Sequence, residues 1–145
     1  MYLDLNRNLT DTQIALREQT HQFAAEVLRR LIHIVATASP GAKLGSTAPY
    51  AYAHFVLVET GESQPRTLAN AFLDPVKERP GLVRNAYSAL AEHLGQLDEV
   101  HGRSVERRAS VIGPRDALQS VIPQDELLPL ADLARWTAAA VARLS

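Results

Sequence analysis

The sequence contains no cysteine, and only two of its fifteen cationic residues are lysines. Without cysteine, disulfides, thiolate metal sites and cysteine nucleophiles are excluded. An excess of positive charge is also lacking, since the formal net charge is −1 at pH 7. Independent binders of naked nucleic acid are usually basic, so this charge argues against that class. A local basic site within a larger assembly is still compatible with it.

Several other signals are absent. The apolar runs are too short to cross a bilayer, and the opening "MYLDLNRNLTDTQ" has no basic stretch followed by an apolar one. We therefore expect a cytoplasmic protein without membrane contact. No GxSxG motif occurs, and the histidines lack HxxxH or HxH spacing, so we expect neither a serine nucleophile of that type nor a metal site. The five histidines are His21, His33, His54, His93 and His101.

At 145 residues and 46% hydrophobic content, the chain is expected to form one domain over residues 1–145. The alternation "YLDLN" predicts a strand over residues 2–6. A helix is predicted from Thr10 or Asp11 to Ala38, with a stop at "PG". The apolar positions that recur at helical spacing are Ile14, Phe23, Val27, Leu31 and Ile34 or Val35.

The rest of the chain continues to alternate strands and helices. "HFVLVET" predicts a buried strand over residues 54–60, and we interpret residues 66–72 as extended. A second helix is predicted from Leu82 to a stop at Gly102, a strand over residues 104–113, and a final helix after Pro123 with Pro129 near its first turn or at a kink. The order β-α-loop-β-(β)-α-β-α predicts an α+β fold, compatible with half of a ferredoxin-like domain.

The loop over residues 40–50 concentrates residues that suit a phosphate backbone. Its glycines allow a ligand to approach the backbone amides, its lysine supplies a point charge, and its tyrosines offer rings for stacking on a base or ribose. Composition alone nevertheless favours a plain helix-to-strand connector. The candidate RNA-binding residues are Gly41, Lys43, Gly45, Ser46, Thr47 and Tyr50, with Tyr52 as a further stacking candidate.

The remaining charged residues suggest less specific roles. We expect the arginine pairs at residues 29–30 and 107–108 to lie at the surface, where either pair would be able to touch RNA or a neighbouring subunit. Trp136 is expected to pack in the core or to anchor an interface. The carboxylates expected on solvated helix faces are Glu18, Glu26, Glu92, Asp98 and Glu99.

Two linked motifs resemble a known family. "IHIVATASPGAKLGSTAPYAYAHFVLVE" followed by "QPRTLANAFLDPV" resembles the second half of the backbone subunit of type I-E CRISPR Cascade, the CasC family. That family has a "PGAK" or "P-x-GK" turn after a long helix, then a hydrophobic strand, then a "P-x-S/T-L-A-N-A-F-x-x-P/A-V" segment. "YLDLN" also resembles the family's tyrosine-bearing strand. The resemblance spans most of the chain and is strongest over residues 2–76.

The resemblance implies a non-catalytic protein with a modified RRM-like palm, with no catalytic residue, no cofactor and no small-molecule substrate. Such subunits stack head to tail along a CRISPR RNA, grip its backbone and display its bases for pairing with target DNA, which leaves sequence recognition to base pairing. By matching position, Lys43 is implied to contact RNA phosphate, with Ser46 and Thr47 nearby. The implied partners are CRISPR RNA and other Cascade subunits, especially copies of the backbone subunit.

Two departures from the family qualify this reading. Leu44 stands where the family often has a glutamine, which removes one potential hydrogen bond to RNA. The family protein is also more than twice this length, and its N-terminal half has no counterpart in this sequence. We therefore expect a sheet with an exposed edge that favours pairing with a partner chain.

Three hypotheses remain open at this point. The chain is a truncated backbone-type component that works beside other subunits, or it is an anti-CRISPR, dominant-negative mimic that caps or blocks assembly of the Cascade backbone. The third hypothesis is an unrelated small α+β interaction module.

Overall fold

The structure, a computed structural model, describes residues 10–38, 52–62, 64–78 and 80–143. Within them the chain forms a small α+β fold, as predicted, in which a two-stranded antiparallel sheet lies among three helices. The helices are α1 (Asp11–Thr37), α2 (Leu82–His101) and α3 (Leu130–Ala142), and the strands are β1 (Phe55–Thr60) and β2 (Glu106–Val111). The strand predicted over residues 2–6 lies outside the described residues.

The sheet has a helix on each face. Phe55 of β1 pairs with Val111 of β2, and the register continues to Thr60 opposite Glu106. Successive strand residues point to opposite faces, so alternate β2 side chains face α2 and the others face α3. On the α2 face lies the main core cluster, which comprises Tyr87, Leu90, Ala91, Leu94, Ala109, Val111, Leu118, Val121 and Ile122.

α3 lies between the sheet and α1. It contacts both strands on one side and packs along α1 on the other. Small side chains allow the two helices to approach closely, since Ala25 and Ala36 of α1 and Ala134 and Ala140 of α3 are all buried. The fold is therefore layered as α1, α3, sheet and α2.

α1 begins as the sequence predicts but does not bury the expected stripe. Thr10 caps it in a capping box with Gln13, which satisfies two backbone donors that the first turn leaves without partners. Several residues of the periodic apolar set are nevertheless exposed, because α3 covers a different side of the helix. The exposed apolar residues of α1 are Ile14, Leu16, Phe23, Val27, Leu31, Ile34 and Val35.

The helix boundaries in the second half largely agree with the predictions. α2 ends at His101, and Gly102 follows with φ of 75°, a left-handed conformation that favours glycine. Pro129 neither lies within α3 nor kinks it, but is its N-cap, because proline has no N–H to bond within a helix and disfavours helical conformation in the residue before it. A separate 3-10 turn, Gln124–Glu126, occupies the start of the predicted final helix.

Two strand predictions need correction. β1 is half-buried along all six residues rather than fully buried. The extended conformation predicted over residues 66–72 is wrong from Ala69 onward, where Ala69–Phe72 forms a 3-10 turn. The Thr67 hydroxyl accepts a hydrogen bond from Ala69 N (3.2 Å), a local side-chain bond that competes with strand formation. The described part of the chain contains no helix that combines the length and the hydropathy of a membrane span.

Candidate functional site

Of the loop that the sequence predicts to bind RNA, the structure describes only the residues at its two ends. Its six candidate residues lie outside the described residues, so their predicted role stays a prediction; they are Gly41, Lys43, Gly45, Ser46, Thr47 and Tyr50. The last described residue before the loop is Ala38 and the first after it is Tyr52. These two ends define the loop base, which is the part of the site that the structure describes.

The loop base is closed by a backbone hydrogen bond. Ala53 N donates to Ala36 O at 2.8 Å, and Ala38 N donates to Ile34 O at 2.6 Å. Ala36 is buried against the rest of the fold. The two ends of the loop are therefore held together beside the C-terminal end of α1.

Tyr87 fixes the start of β1 immediately after the loop. Its hydroxyl lies 2.8 Å from Ile112 O and 3.0 Å from His54 O, and its single hydrogen is shared between these two carbonyls. His54 O also accepts a hydrogen bond from Ile112 N (2.8 Å). Burial raises the pKa of Tyr87, so the hydroxyl remains a donor at neutral pH. The loop is therefore followed by a strand whose start is bonded to Tyr87 of α2 and to Ile112, which follows β2.

The electrostatics of the loop base favour a cation. α1 ends here, and the last four carbonyls of a helix carry a partial negative charge equivalent to about half an elementary charge. The last turn of α1 contains no basic residue that would offset this charge. Tyr52 is exposed at the same place (67% of its surface), so its ring is accessible for stacking. The loop base therefore combines a negative helix end with an accessible aromatic ring.

The segment after β1 contributes to a partly buried ion cluster that the sequence did not reveal. The cluster is made of Glu59, Arg66, Asp98 and Arg107, which come from β1, the following segment, α2 and β2. Arg66 bonds Glu59 (2.8 Å) and Asp98 (2.9 Å). Arg107 bonds the same two carboxylates (both 2.8 Å) and also donates to Val121 O at 3.1 Å. Two positive and two negative charges thus balance within one contact network.

The two arginines of the ion cluster stabilise the ionised form of its two carboxylates. Burial acts to raise the pKa of Glu59 and of Asp98, but hydrogen bonds from the two arginines outweigh it, and both pKa values lie below the ordinary range. Both carboxylates are therefore ionised at neutral pH. Because every guanidinium of the cluster bonds carboxylates, Arg66 and Arg107 are engaged within the protein and are poor candidates for RNA contact.

This cluster corrects two predictions. Arg107, expected at the surface, has no exposed surface, because alternate residues of β2 point toward α2. Asp98, expected on a solvated helix face, lies one turn after Leu94 on the buried side of α2, and only 17% of its side chain is exposed. Glu59 is the only charged residue of β1, and a charge within a predicted buried strand was the sequence signal for an oppositely charged partner.

The other basic residues named from the sequence do lie closer to solvent. Arg29 and Arg30 both bond Glu26 on the exposed surface of α1, and their hydrogen bonds lower the pKa of Glu26 to about 2. Arg108 lies over the ring of Trp136 (5.4 Å to its centroid) and 3.4 Å from Glu126. Trp136 thus contacts the sheet through a cation–π interaction.

Outside the loop base, the described chain offers little that resembles a reaction centre. Among residues 10–38, 52–62, 64–78 and 80–143, no three histidine, aspartate or glutamate side chains are grouped so that they would hold a metal ion. His21 and His93 each have one buried ring nitrogen without a hydrogen-bond partner among these residues. His21 lies in α1 and His93 in α2, the two outer layers of the fold, so they do not form a common site.

Comparison with known proteins identifies a family for this chain. The family model of the CT1975-like proteins, a family of CRISPR-associated (Cas) proteins, matches residues 2–136. The matched region includes both the loop and the ion cluster. No curated protein matches the sequence.

Proposed function

The chain belongs to the CT1975-like family of CRISPR-associated proteins, and from this premise we propose that it is a non-catalytic, backbone-type component of a CRISPR effector complex. In this role it contacts CRISPR RNA through the loop over residues 40–50 and contacts neighbouring subunits through its surfaces. The observation that carries the proposal is the family match over residues 2–136, which includes the "PGAK" turn and the "LANAF" segment that resemble the type I-E backbone subunit.

The loop base supports an RNA-contacting role for Lys43. The two loop ends are joined by the bond from Ala53 N to Ala36 O, so the loop leaves from and returns to a fixed position. A fixed base reduces the conformational freedom that the loop would lose on binding. Because the C-terminal end of α1 is negative, a phosphate at this base would need a compensating cation, which Lys43 would supply.

The charge distribution indicates that this chain would contact only a few RNA phosphates. Two of the arginines are engaged in the ion cluster, and the net charge of the chain is −1. Non-specific affinity for RNA scales with the number of phosphates that lysine and arginine neutralise. We therefore propose that this chain holds RNA only together with other subunits, each contributing a few phosphate contacts.

The experiment compares the two lysines of the chain. The protein is co-expressed with the Cas proteins and CRISPR RNA of a type I-E system, and the CRISPR RNA recovered with it is quantified. We expect Lys43→Glu to reduce the recovered RNA at least tenfold, because it replaces a phosphate contact with repulsion. Lys77→Glu, which makes the same charge change at an exposed position, should reduce it less than twofold.

Two results would contradict this proposal. Equal RNA recovery with both variants would show that Lys43 makes no phosphate contact. Binding of the RNA-free protein to an assembled complex, with loss of interference in cells, would instead identify the anti-CRISPR mimic. That alternative remains compatible with the family match, since a mimic would resemble the subunit that it replaces.

A further inference from the structure

Arg115 differs from most of the described arginines in having no carboxylate partner. It is exposed, and none of the described residues forms an ion pair with it. Its neighbour Asp116 is engaged elsewhere, because both carboxylate oxygens accept hydrogen bonds from Arg84 (2.6 and 3.1 Å). Arg115 therefore presents a positive charge that no described carboxylate compensates. The described arginines that do form ion pairs are Arg29, Arg30, Arg66, Arg84, Arg103, Arg107, Arg108, Arg135 and Arg143.

A small cavity lies beside Arg115. Its volume is about 180 Å³, which is less than the roughly 300–1,000 Å³ of a typical small-molecule site, so it suits one small group rather than a whole nucleoside. None of its described lining residues is acidic, and Ser110 adds a hydroxyl that can donate to an anion. The remaining lining residues are apolar, namely Val111, Leu127, Leu128 and Pro129.

Arg115 lies at the same end of the sheet as the loop base. Ile112, which follows β2, donates its N–H to His54 O at 2.8 Å, and Tyr52 precedes His54 by two residues. Three residues of chain span at most about 11 Å, so the backbone of Arg115 lies within that distance of Ile112. Ile112 and Tyr52 are both exposed. A nucleic-acid strand that leaves the loop base would therefore cross an accessible surface to reach Arg115.

We propose that the cavity beside Arg115 binds a phosphate group of the RNA strand that the loop over residues 40–50 contacts. The arginine fork matches the geometry of a phosphate and bonds it through two parallel N–H groups. An RNA strand carries a phosphate at every nucleotide, so a strand held by the loop offers further phosphates to a cation at the same end of the sheet. The inference rests on the function proposed above and assigns a second, separate contact to it.

The charge of Arg115 is available to an anion from outside the chain. An arginine that already bonds carboxylates, such as Arg107, would have to lose those bonds before it bound a phosphate. Arg115 loses no ion pair with a described residue when a phosphate binds. Release of counterions from the RNA adds a favourable contribution that weakens as the salt concentration rises. Arg115 is therefore expected to contribute one salt-dependent phosphate contact.

The first test follows Arg115 by NMR in the full chain. The Nε–Hε signal of its guanidinium is assigned by its absence in Arg115→Gln. A short single-stranded oligouridylate is then added at low ionic strength, where phosphate contacts are strongest. We expect the signal to shift as the RNA is added and to return as potassium chloride is added. The Nε–Hε signal of Arg135, which is engaged by Asp132, is the internal control and should not shift.

The second test compares two variants that remove the same charge. Fluorescence anisotropy measures the affinity of a labelled oligouridylate for the full chain at several salt concentrations. Arg115→Gln should weaken binding at least fivefold. It should also make the slope of log affinity against log salt concentration shallower by about 0.7, the value for one phosphate contact with a single strand. Arg135→Gln, at an exposed position of α3, should leave the affinity within twofold and the slope unchanged.

Two other anions test whether the site selects RNA. Inorganic phosphate and oligoglutamate are added to the full chain at the same concentration of anionic groups as the oligouridylate. Each should shift the Arg115 signal less than half as far, because neither presents successive phosphates of one strand to the loop and to Arg115. An equal shift with oligoglutamate would assign Arg115 to an acidic segment of a partner protein, and an equal shift with inorganic phosphate would show that no strand is needed. Either result would overturn the inference.

The variant Lys43→Glu separates this inference from the proposed function. If Lys43→Glu weakens oligouridylate binding while Arg115→Gln leaves the affinity and the slope unchanged, the loop contact stands and the inference is wrong. If Arg115→Gln has the expected effect while Lys43→Glu has none, the phosphate site at Arg115 stands and the loop contact is wrong. Absence of any shift of the Arg115 signal with oligouridylate would also overturn the inference.

Discussion

At the scale of single residues, the ion cluster is the feature most sensitive to change. Arg107 is fully buried and bonds two carboxylates and one carbonyl, so its charge is compensated only while these contacts persist. Removing one partner of a buried ion pair leaves an uncompensated charge, which commonly costs about 3–5 kcal/mol. The neighbouring Arg108 is partly exposed and has water as an alternative partner.

We therefore predict that Arg107→Met lowers the free energy of unfolding by about 3 kcal/mol or more, measured by urea denaturation at pH 7. Arg108→Met, the control at the next residue, should cost about 1 kcal/mol or less, because a cation–π contact near the surface contributes on this order. Equal losses of unfolding free energy in the two variants would mean that the buried charge of Arg107 is not the cause of the destabilisation.

At the scale of elements, α1 shows how local signals determine a helix without determining which side of it is buried. Its start is set by Thr10, whose side chain accepts from Gln13 N. The buried side of α1 is the side that packs against α3, and it includes Ala25 and Ala36. The most hydrophobic stripe of the helix is left exposed, and it is therefore available to a partner.

The capping box leads to a prediction about this helix. Thr10→Ala should lower the free energy of unfolding by about 1 kcal/mol, because it removes the oxygen that satisfies a backbone donor in the first turn. Thr20→Ala is the control, since the Thr20 hydroxyl bonds Leu16 O within the helix (2.9 Å) and alanine has the higher helix propensity.

Urea denaturation followed by circular dichroism at 222 nm measures both threonine variants. The Thr20 variant should be unchanged or slightly more stable than the unchanged protein. A loss in the Thr20 variant as large as that in the Thr10 variant would contradict the capping role.

At the scale of the whole molecule, the ion cluster ties β1, the segment after it, α2 and β2 to one another. The pKa values of Glu59 and Asp98 are lowered in the folded protein, because hydrogen bonds from the arginines outweigh the opposing effect of burial. A carboxylate with a lowered folded-state pKa contributes stability above its unfolded pKa, which is about 4. This contribution is lost as the pH falls through the folded-state pKa.

We accordingly predict that the urea midpoint falls steeply as the pH is lowered below about 5, where the unfolded chain begins to bind protons at these carboxylates. The double variant Glu59→Gln, Asp98→Asn should be less stable at pH 7 but show a flatter dependence on pH. Glu99→Gln, which removes an exposed carboxylate of α2 outside the cluster, is the control and should retain the steep dependence. An unchanged slope in the double variant would contradict the role of the cluster.

The sequence by itself determined the secondary structure wherever the signal is local. Thr10 at the start of α1, Gly102 after α2 and the β-branched run of β1 act within a few residues of themselves. The α+β class and the membership in a CRISPR-associated family also follow from the order and spacing of residues along the chain. The predicted role of the loop over residues 40–50 stays a prediction from sequence.

Only the tertiary structure decided which charges are buried and which apolar residues are exposed. Glu59 and Arg107 are 48 positions apart in sequence and meet only because β1 and β2 pair. Likewise, the exposure of Phe23 depends on where α3 packs, which the period of α1 does not specify. Burial is a property of contacts between distant segments, so a pattern within one segment predicts its conformation but not its neighbours.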